Sequence, residues 1–325
     1  MAELIDIHLE PERALAAACA VLASGEPVAI PTETVYGLAA DATNPVAITR
    51  IYAVKGRPRF NPLIAHMAGL DMALAHADFD PLSLQLAQAF WPGPLTLVLP
   101  LKETSPIHSL CTAGLPTVGI RIPEGFAGSL IAAFGKPLAA PSANTSGRIS
   151  PTTAHHVQAD LGDKITLILD GGAADVGVES TIIKVEDGQV RLLRPGGLDV
   201  AAIEAVLGQA VVRSDTAALD AIEAPGMLAS HYAPQAPVRL EATSVGDSEI
   251  LVNFGAQPII GRQRALAVFD LSPAGDLAEA AANLFAIMKA ADAMAASAIA
   301  FAPIPADGLG EAINDRLARA AAPRE

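Results

Sequence analysis

Cysteine is nearly absent: Cys19 and Cys111 are the two in a chain of 325 residues. Alone they cannot supply a four-ligand zinc site, and their apolar neighbours suit buried free thiols. Aromatic residues make up only 4% of the chain, which leaves little material for base-stacking platforms. Positive charge is scarce as well. With 21 Lys and Arg against 35 Asp and Glu, the formal charge is -14 and the pI about 4.9, which argues against an extended electrostatic grip on nucleic acid. Any RNA contact has to be local or indirect. Long apolar runs are missing too: the alanine-rich segment 277–302 is interrupted by Glu279, Asn283, Lys289 and Asp292, too polar for a membrane span. The N-terminal MAELIDIHLEPER is acidic where a secretory signal would be basic, so a cytoplasmic location is expected.

Several familiar chemistries have no motif here. The Gly-Lys pair in 128–136 has glycines too far apart for a Walker A loop, and Pro137 follows the lysine. There is no HExxH helix and no GxSxG elbow. His155 and His156 are adjacent and would point about 100° apart on a helix, a poor metal pair.

What is present is apolar material, 51% of residues, in a length suited to two domains. Residues 11–25 read as an amphipathic helix with a glycine stop and 27–30 as a buried strand. Asn44-Pro45 offers a cap and first turn for a helix running toward Gly56. Strand-like runs recur at 63–66, 95–99, 118–122, 138–140 and 165–169, with helical patterns at 81–91 and 125–134. The alternation predicts an α/β architecture. Two alternating runs flank Asp187-Gly188, a two-residue hairpin signal, so the sheet is expected to be mixed. A helix over 199–207 closes a first domain of residues 1–208. The proline-bounded stretch 209–237 reads as a linker. Residues 238–325 read as a smaller α/β domain with strands at 250–253 and 266–269, a long helix from Asp276 and a closing helix after Gly310.

Three loops carry candidate chemistry. PTETVYGL (31–38) leaves a buried strand with two threonines, a glutamate and a tyrosine between Pro31 and Gly37. KGRPRFNPL (55–63) puts three cations within five residues, with Gly56 and Pro58 stiffening the backbone, an arrangement suited to phosphate oxygens. Solvated cations after a helix are the plainer alternative. PSANTSGRISPT (141–152) also leaves a strand, where α/β sheets commonly bind ligands, though its hydroxyls could simply cap turns. Val178-Glu-Ser-Thr181 precedes the hairpin whose far end carries Arg194-Pro195-Gly196. Thr117 and Arg121, four apart on a predicted strand, share one face.

In this order, PTETVYGL, KGRPRFNPL, the Thr117–Arg121 strand, PSANTSGRISPT, ESTII and LLRPG resemble the YrdC-type domain of threonylcarbamoyl-AMP synthases. APGMLASHYAPQAPV (224–238) and GLGEAINDRLARAA (308–321) resemble the long form of that family, so the likeness covers nearly the whole chain. The resemblance implies a twisted mixed sheet with helices followed by a Rossmann-like C-terminal α/β domain. It implies a nucleotidyltransferase that makes threonylcarbamoyl-adenylate and pyrophosphate from L-threonine, bicarbonate or CO2, and ATP. No metal site on the protein is implied; Mg2+ is expected through the ATP phosphates. The product would pass to threonylcarbamoyl transferase proteins acting on tRNA, with at most weak tRNA contact by this chain and no membrane.

By the family pattern, Lys55 and Arg57 clamp the triphosphate and carry the catalysis. Asn61, Thr117, Asn144, Thr152, Arg194 and Tyr232 complete the nucleotide side. Thr34, His66, Arg121, Ser142 and Ser180 line the threonine side, Arg121 pairing with the carboxylate, and Thr32, Thr34 and Tyr36 wall the amino acid. The linker departs from the pattern at Leu228-Ala-Ser-His-Tyr232, where a more basic run is expected. It reads as a lid hinged near Gly226 that lays Tyr232 over the nucleotide. Two other readings stand beside this one. A carbamoyl transferase of hydrogenase maturation would carry an acylphosphatase module and paired CxxC motifs, which this chain lacks; a non-catalytic RNA-binding module is disfavoured by the acidic composition.

Overall fold

The computed structural model describes residues 1–213, 223–225 and 230–323. In chain order the first domain contains β1 (Glu3–Asp6), α1 (Pro11–Ala23), β2 (Val28–Ile30), β3 (Gly37–Asp41), α2 (Pro45–Lys55), β4 (Ile64–His66), α3 (Leu70–His76), α4 (Pro81–Phe90), β5 (Leu95–Pro100) and β6 (Thr117–Arg121). It continues with α5 (Phe126–Phe134), β7 (Leu138–Ala139), α6 (Ala154–Leu161), β8 (Leu167–Asp170), β9 (Thr181–Glu186), β10 (Gln189–Arg194), α7 (Val200–Leu207) and β11 (Val212–Arg213). The second domain adds β12 (Val238–Arg239), β13 (Glu249–Asn253), β14 (Ala267–Asp270), α8 (Leu277–Asp292), β15 (Ala298–Phe301) and α9 (Leu309–Ala321).

Among the described residues the first-domain strands form one sheet of order β1-β8-β2-β3-β7-β4-β6-β5-β9-β10-β11. It is mixed: β4/β6 and β5/β9 run parallel, β5/β6 and β9/β10 antiparallel. The β9–β10 turn falls at Asp187 and Gly188, both at positive φ, the backbone a two-residue hairpin demands. Alternation sorts side chains to two faces. Val28 and Ile30 pack with α1 and α5, while Ala29 joins the core on the other face. The second-domain order is β12-β15-β13-β14, parallel throughout, as in Rossmann-like layers.

Local chemistry sets the element that delivers the cationic loop. Asn44 Oδ1 accepts from Val46 N and Ala47 N, and Pro45 fills the first turn of α2. Gly56, at φ +60, ends the helix and turns the chain directly after Lys55.

The domains share a core. Val35, Ile149 and Val178 of the first domain pack with Tyr232, Phe285, Ile313 and Leu317. Gly177 makes the closest approach: at φ +75, a Cβ there would lie 2.4 Å from Ala281 O and Ala282 Cα of α8. Gly177→Ala should therefore cost about 1–3 kcal/mol for overpacking beyond the left-handed backbone penalty. Gly172→Ala, at φ +80 with nothing within 4 Å, shares only that penalty and serves as the control. Chemical denaturation of both variants measures the difference; equal losses would mean that this approach does not tie the domains.

Candidate active site

β4 and β6 lie side by side with His66 opposite Arg121, so adjacent strands end in a histidine and an arginine. Around them the loops after β2 and β7, the residues before β9 and the end of β10 line a cavity with about 520 Å3 of empty space, open solvent included. Eight of the residues expected from the sequence line it: Thr34, Arg57, His66, Arg121, Ser142, Ser180, Arg194 and Tyr232. Gly196 lets β10 close on the loop before β9; a Cβ there would sit 2.3 Å from Glu179 O.

Of the three cations of the KGRPR stretch Lys55 and Arg57 are buried, as is Arg194, while Arg59 is exposed. Lys55, 1% exposed, donates from Nζ to Ser142 O and Asn144 O at 2.5 Å each, behind the cavity wall. Arg57 donates from Nη2 to Asn61 Oδ1 at 2.7 Å and Pro62 O at 2.8 Å. Arg194 donates to Ser180 O at 2.8 Å and Pro225 O at 3.1 Å. Among the described residues none of Lys55, Arg57 and Arg194 has a carboxylate in ion-pair contact; neutral oxygens satisfy their N–H groups without cancelling charge, and an incoming anion would favour the charged form of each. Burial holds Lys55 well below the usual lysine range, with Arg57 adding to the shift, and brings Arg57 down to about 10.

Arg121 differs. Its Nη2 lies 2.7 Å from Glu33 Oε1, Nη1 donates to Thr34 Oγ1 at 2.8 Å, and Nε donates to Gly93 O at 3.3 Å. His66 is pulled down to about 3 by burial and then by Arg121. Nδ1 of this neutral ring donates to Ile64 O at 3.2 Å, leaving Nε2 as an acceptor.

Besides Lys55, four expected nucleotide residues do not line the cavity. Asn61 and Asn144 lie just behind it, through their contacts with Arg57 and Lys55, and Asn61 Nδ2 and Asn144 Oδ1 have no hydrogen-bond partner within the protein. Thr152 is buried, its N–H donating to His156 Nδ1 at 3.3 Å. Thr117 starts β6, four residues from Arg121 and thus about 13 Å away along the strand. Tyr36 also departs from expectation: its hydroxyl donates to Gly172 O at 2.7 Å and accepts from Gly171 N at 3.0 Å, facing a second cavity instead of the first. Thr32 supports the wall from behind, sharing a 2.9 Å hydrogen bond with Thr34. The expected hinge at Gly226 and the departure at Leu228 and Ala229 lie outside the described residues.

Glu33, Glu179, His231 and Arg316 are not among the site residues expected from the sequence. Arg316, on α9, is fully buried and donates from Nε to Glu179 Oε2 at 2.8 Å, with its guanidinium 5.2 Å from the Tyr232 ring centroid. Ser150 Oγ donates to the other oxygen of Glu179 at 2.6 Å. Burial pushes the Glu179 carboxyl up, but Arg316 and then Arg194 hold it at about 2. Arg316 was detectable as a charge in the stripe Ala312, Ile313, Leu317 and Ala320, whose other members are small or apolar. Tyr232 stacks on Phe285 at 5.4 Å, and His231 N donates to Arg319 O at 3.2 Å, so both lining residues rest against the second domain.

Comparison with known proteins covers both domains. The Sua5/YciO/YrdC family model, described as Telomere recombination, matches residues 20–196. The model described as Threonylcarbamoyl-AMP synthase, C-terminal domain, matches 198–322. The threonylcarbamoyl-AMP synthase of Pyrococcus abyssi (strain GE5 / Orsay) is 40% identical over 319 residues, 93% of this chain and 92% of that protein. That of Bacillus subtilis (strain 168) is 40% identical over 329 residues, 95% and 93%. The crystal structure of P. abyssi Sua5 complexed with L-threonine superposes with a TM-score of 0.88 at 37% identity, covering 99% of this chain and 97% of that one.

The buried histidines predict a pH dependence. Burial holds both His66 and His231 at about 3, far below the free value, so they stay neutral in the fold where the unfolded chain protonates them. Their contribution is complete above about pH 6.5 and is lost as pH falls toward 3. Below about pH 4.5 the loss of Glu179's depressed ionisation adds to it. Urea unfolding across pH 5–6 should show an uptake of about two protons from these rings, reduced by about one in His231→Gln. An unchanged slope in that variant would mean that His231 is not held neutral.

Proposed function

This chain belongs to the threonylcarbamoyl-AMP synthase family, and we propose that the buried cavity is where its own residues assemble L-threonine, a one-carbon donor and ATP. The enzyme forms threonylcarbamoyl-adenylate for tRNA modification, with pyrophosphate leaving. One observation carries the site assignment: buried cations without ion-pair partners among the described residues, Arg57 and Arg194 lining the cavity and Lys55 behind its wall, surround the same space as Arg121.

The threonine carboxylate meets Arg121, with Thr34 holding Nη1. His66, Ser142 and Ser180 complete that side, His66 contributing no positive charge of its own. Once neutral, the threonine amine attacks the carbon of CO2, losing a proton, or of bicarbonate, with loss of water, to give a carbamate. A carbamate oxygen then attacks the α-phosphorus, the bond to the bridging oxygen breaks, and pyrophosphate departs with that electron pair. Two anions have to approach each other, which is unfavourable without fixed positive charge. Lys55, Arg57 and Arg194 supply it and receive the charge that grows on the leaving group. Asn61, Thr117, Asn144, Thr152 and Tyr232 belong to the nucleotide side. Mg2+ would be carried in with ATP and would add positive charge at the phosphates; Asn61 Nδ2 and Asn144 Oδ1, without a hydrogen-bond partner among the described residues, suit a polar nucleotide beside those cations. Downstream, the adenylate passes to threonylcarbamoyl transferase proteins that act on tRNA. No feature favours the hydrogenase-maturation transferase, since the second domain matches that of the synthases.

Arg57→Ala tests the phosphate role. Removing one charge-assisted contact should lower kcat/KM for ATP by about ten- to a hundredfold. The variant should also melt lower, because Asn61 and Pro62 lose a buried donor; an exposed cation would have had no such effect. Pyrophosphate release measured at saturating threonine decides it, and an unchanged ATP dependence in the folded variant would remove Arg57 from the clamp.

A further inference from the structure

The guanidinium of Arg121 is gripped from outside the cavity that it lines. Glu33 reaches Nη2 at 2.7 Å, with the two side chains 5% and 8% exposed. Glu33 does not line the main cavity. It lines a second one, of about 660 Å3, with Thr32, Tyr36, Glu124 and Gly171. The Arg121–Glu33 pair is thus the partition between the two spaces. Glu33 is itself fixed, its carbonyl accepting from Val176 N at 2.8 Å and its Oε2 from Glu124 N at 3.4 Å. The carboxylate that does line the main cavity, Glu179, is committed to Arg316 and Ser150.

The contact is an ion pair without hydrogen-bond alignment: neither Arg121 Nη2 nor Glu33 Oε1 has an aligned partner within the protein. A buried guanidinium without a counter-charge is costly, and Glu33 balances it before substrate arrives. The N–H groups of Nη2, themselves buried, form no aligned hydrogen bond among the described residues.

We propose that Glu33 is a positioning residue for amino-acid binding, acting through Arg121: from the second cavity it fixes the guanidinium plane and leaves Nη2 to the substrate carboxylate. This rests on the reading of Arg121 as the carboxylate partner. Glu33 touches no reacting atom. Its effect is confined to the amino-acid side, because Lys55, Arg57 and Arg194 are oriented by carbonyl and amide oxygens that do not involve it.

A double-mutant cycle on the full chain tests this, using steady-state pyrophosphate release with threonine varied and then ATP varied. Glu33→Gln should lower kcat/KM for threonine by about ten- to a hundredfold, mainly through KM, with KM for ATP within about twofold. Glu33→Asp keeps the charge but withdraws it by a methylene, and should fall between wild type and Glu33→Gln; it also reads the same quantity if Glu33→Gln does not fold. In an Arg121→Met background, adding Glu33→Gln should change kcat/KM for threonine by less than about twofold. An equal loss in both backgrounds, or an equal rise in KM for ATP, would overturn the proposal. If Arg121→Met alone leaves threonine use intact, the carboxylate assignment is what fails, a different result from additivity between the two residues.

Discussion

Arg316 has no contact with water, yet its charge is shared among three parts of the molecule. It pairs with Glu179 in the loop before β9, with Asp315 beside it at 2.6 Å, and lies over the Tyr232 ring. Desolvating such a group is expensive and the pair does not by itself guarantee stability; removing one partner, however, strands a buried charge at about 3–5 kcal/mol. The second domain therefore acts on the first through a fixed electrostatic contact. Glu179 and Tyr232 both line the cavity, so the pocket's shape and charge depend on a helix that forms the end of the other domain.

The same logic separates the pocket's cations into two kinds. Arg121 and Arg316 are paired with carboxylates, which keeps them charged and in place in surroundings with little water. Lys55, Arg57 and Arg194 are held by neutral oxygens, which orient them without cancelling them. An incoming polyanion gains most from the second kind, and an amino-acid carboxylate can share the first. Two anionic reactants can thus be brought into one small space, the condition the chemistry imposes.

Much of this was written in local sequence. The Asn44-Pro45 cap, the Gly56 stop and the Asp187-Gly188 turn are short-range devices, and each appears where its residues foretell it. β3 was missed because GLAAD, buried at every position, offers small residues with weak strand preference and no alternation. β15 was missed because its AIAF lies in an alanine-rich stretch with no turn signal to separate it from α8. Thr117 and Arg121 do share a face, but periodicity says nothing of the distance that keeps one of them out of the cavity. Nor could it say that Tyr36 turns toward Gly171 and Gly172, since that follows from a pairing across more than a hundred residues. Charge neutralisation by Glu33, and across domains by Glu179 and Arg316, is likewise non-local. The one local trace of it was an arginine in an apolar helical stripe.

Through Arg316 the second domain completes the pocket proposed to use threonine and ATP. The most direct measurement is mass spectrometry of the products formed from ATP, bicarbonate and isotopically labelled threonine by the wild-type chain and by folded Arg316→Met. The account predicts labelled threonylcarbamoyl-adenylate and pyrophosphate in equal amounts from the wild type, and at least about tenfold less adenylate from the variant, the loss expected from one charge-assisted contact. Absence of labelled adenylate from the wild type, or its formation by Arg316→Met at the wild-type rate, would contradict it.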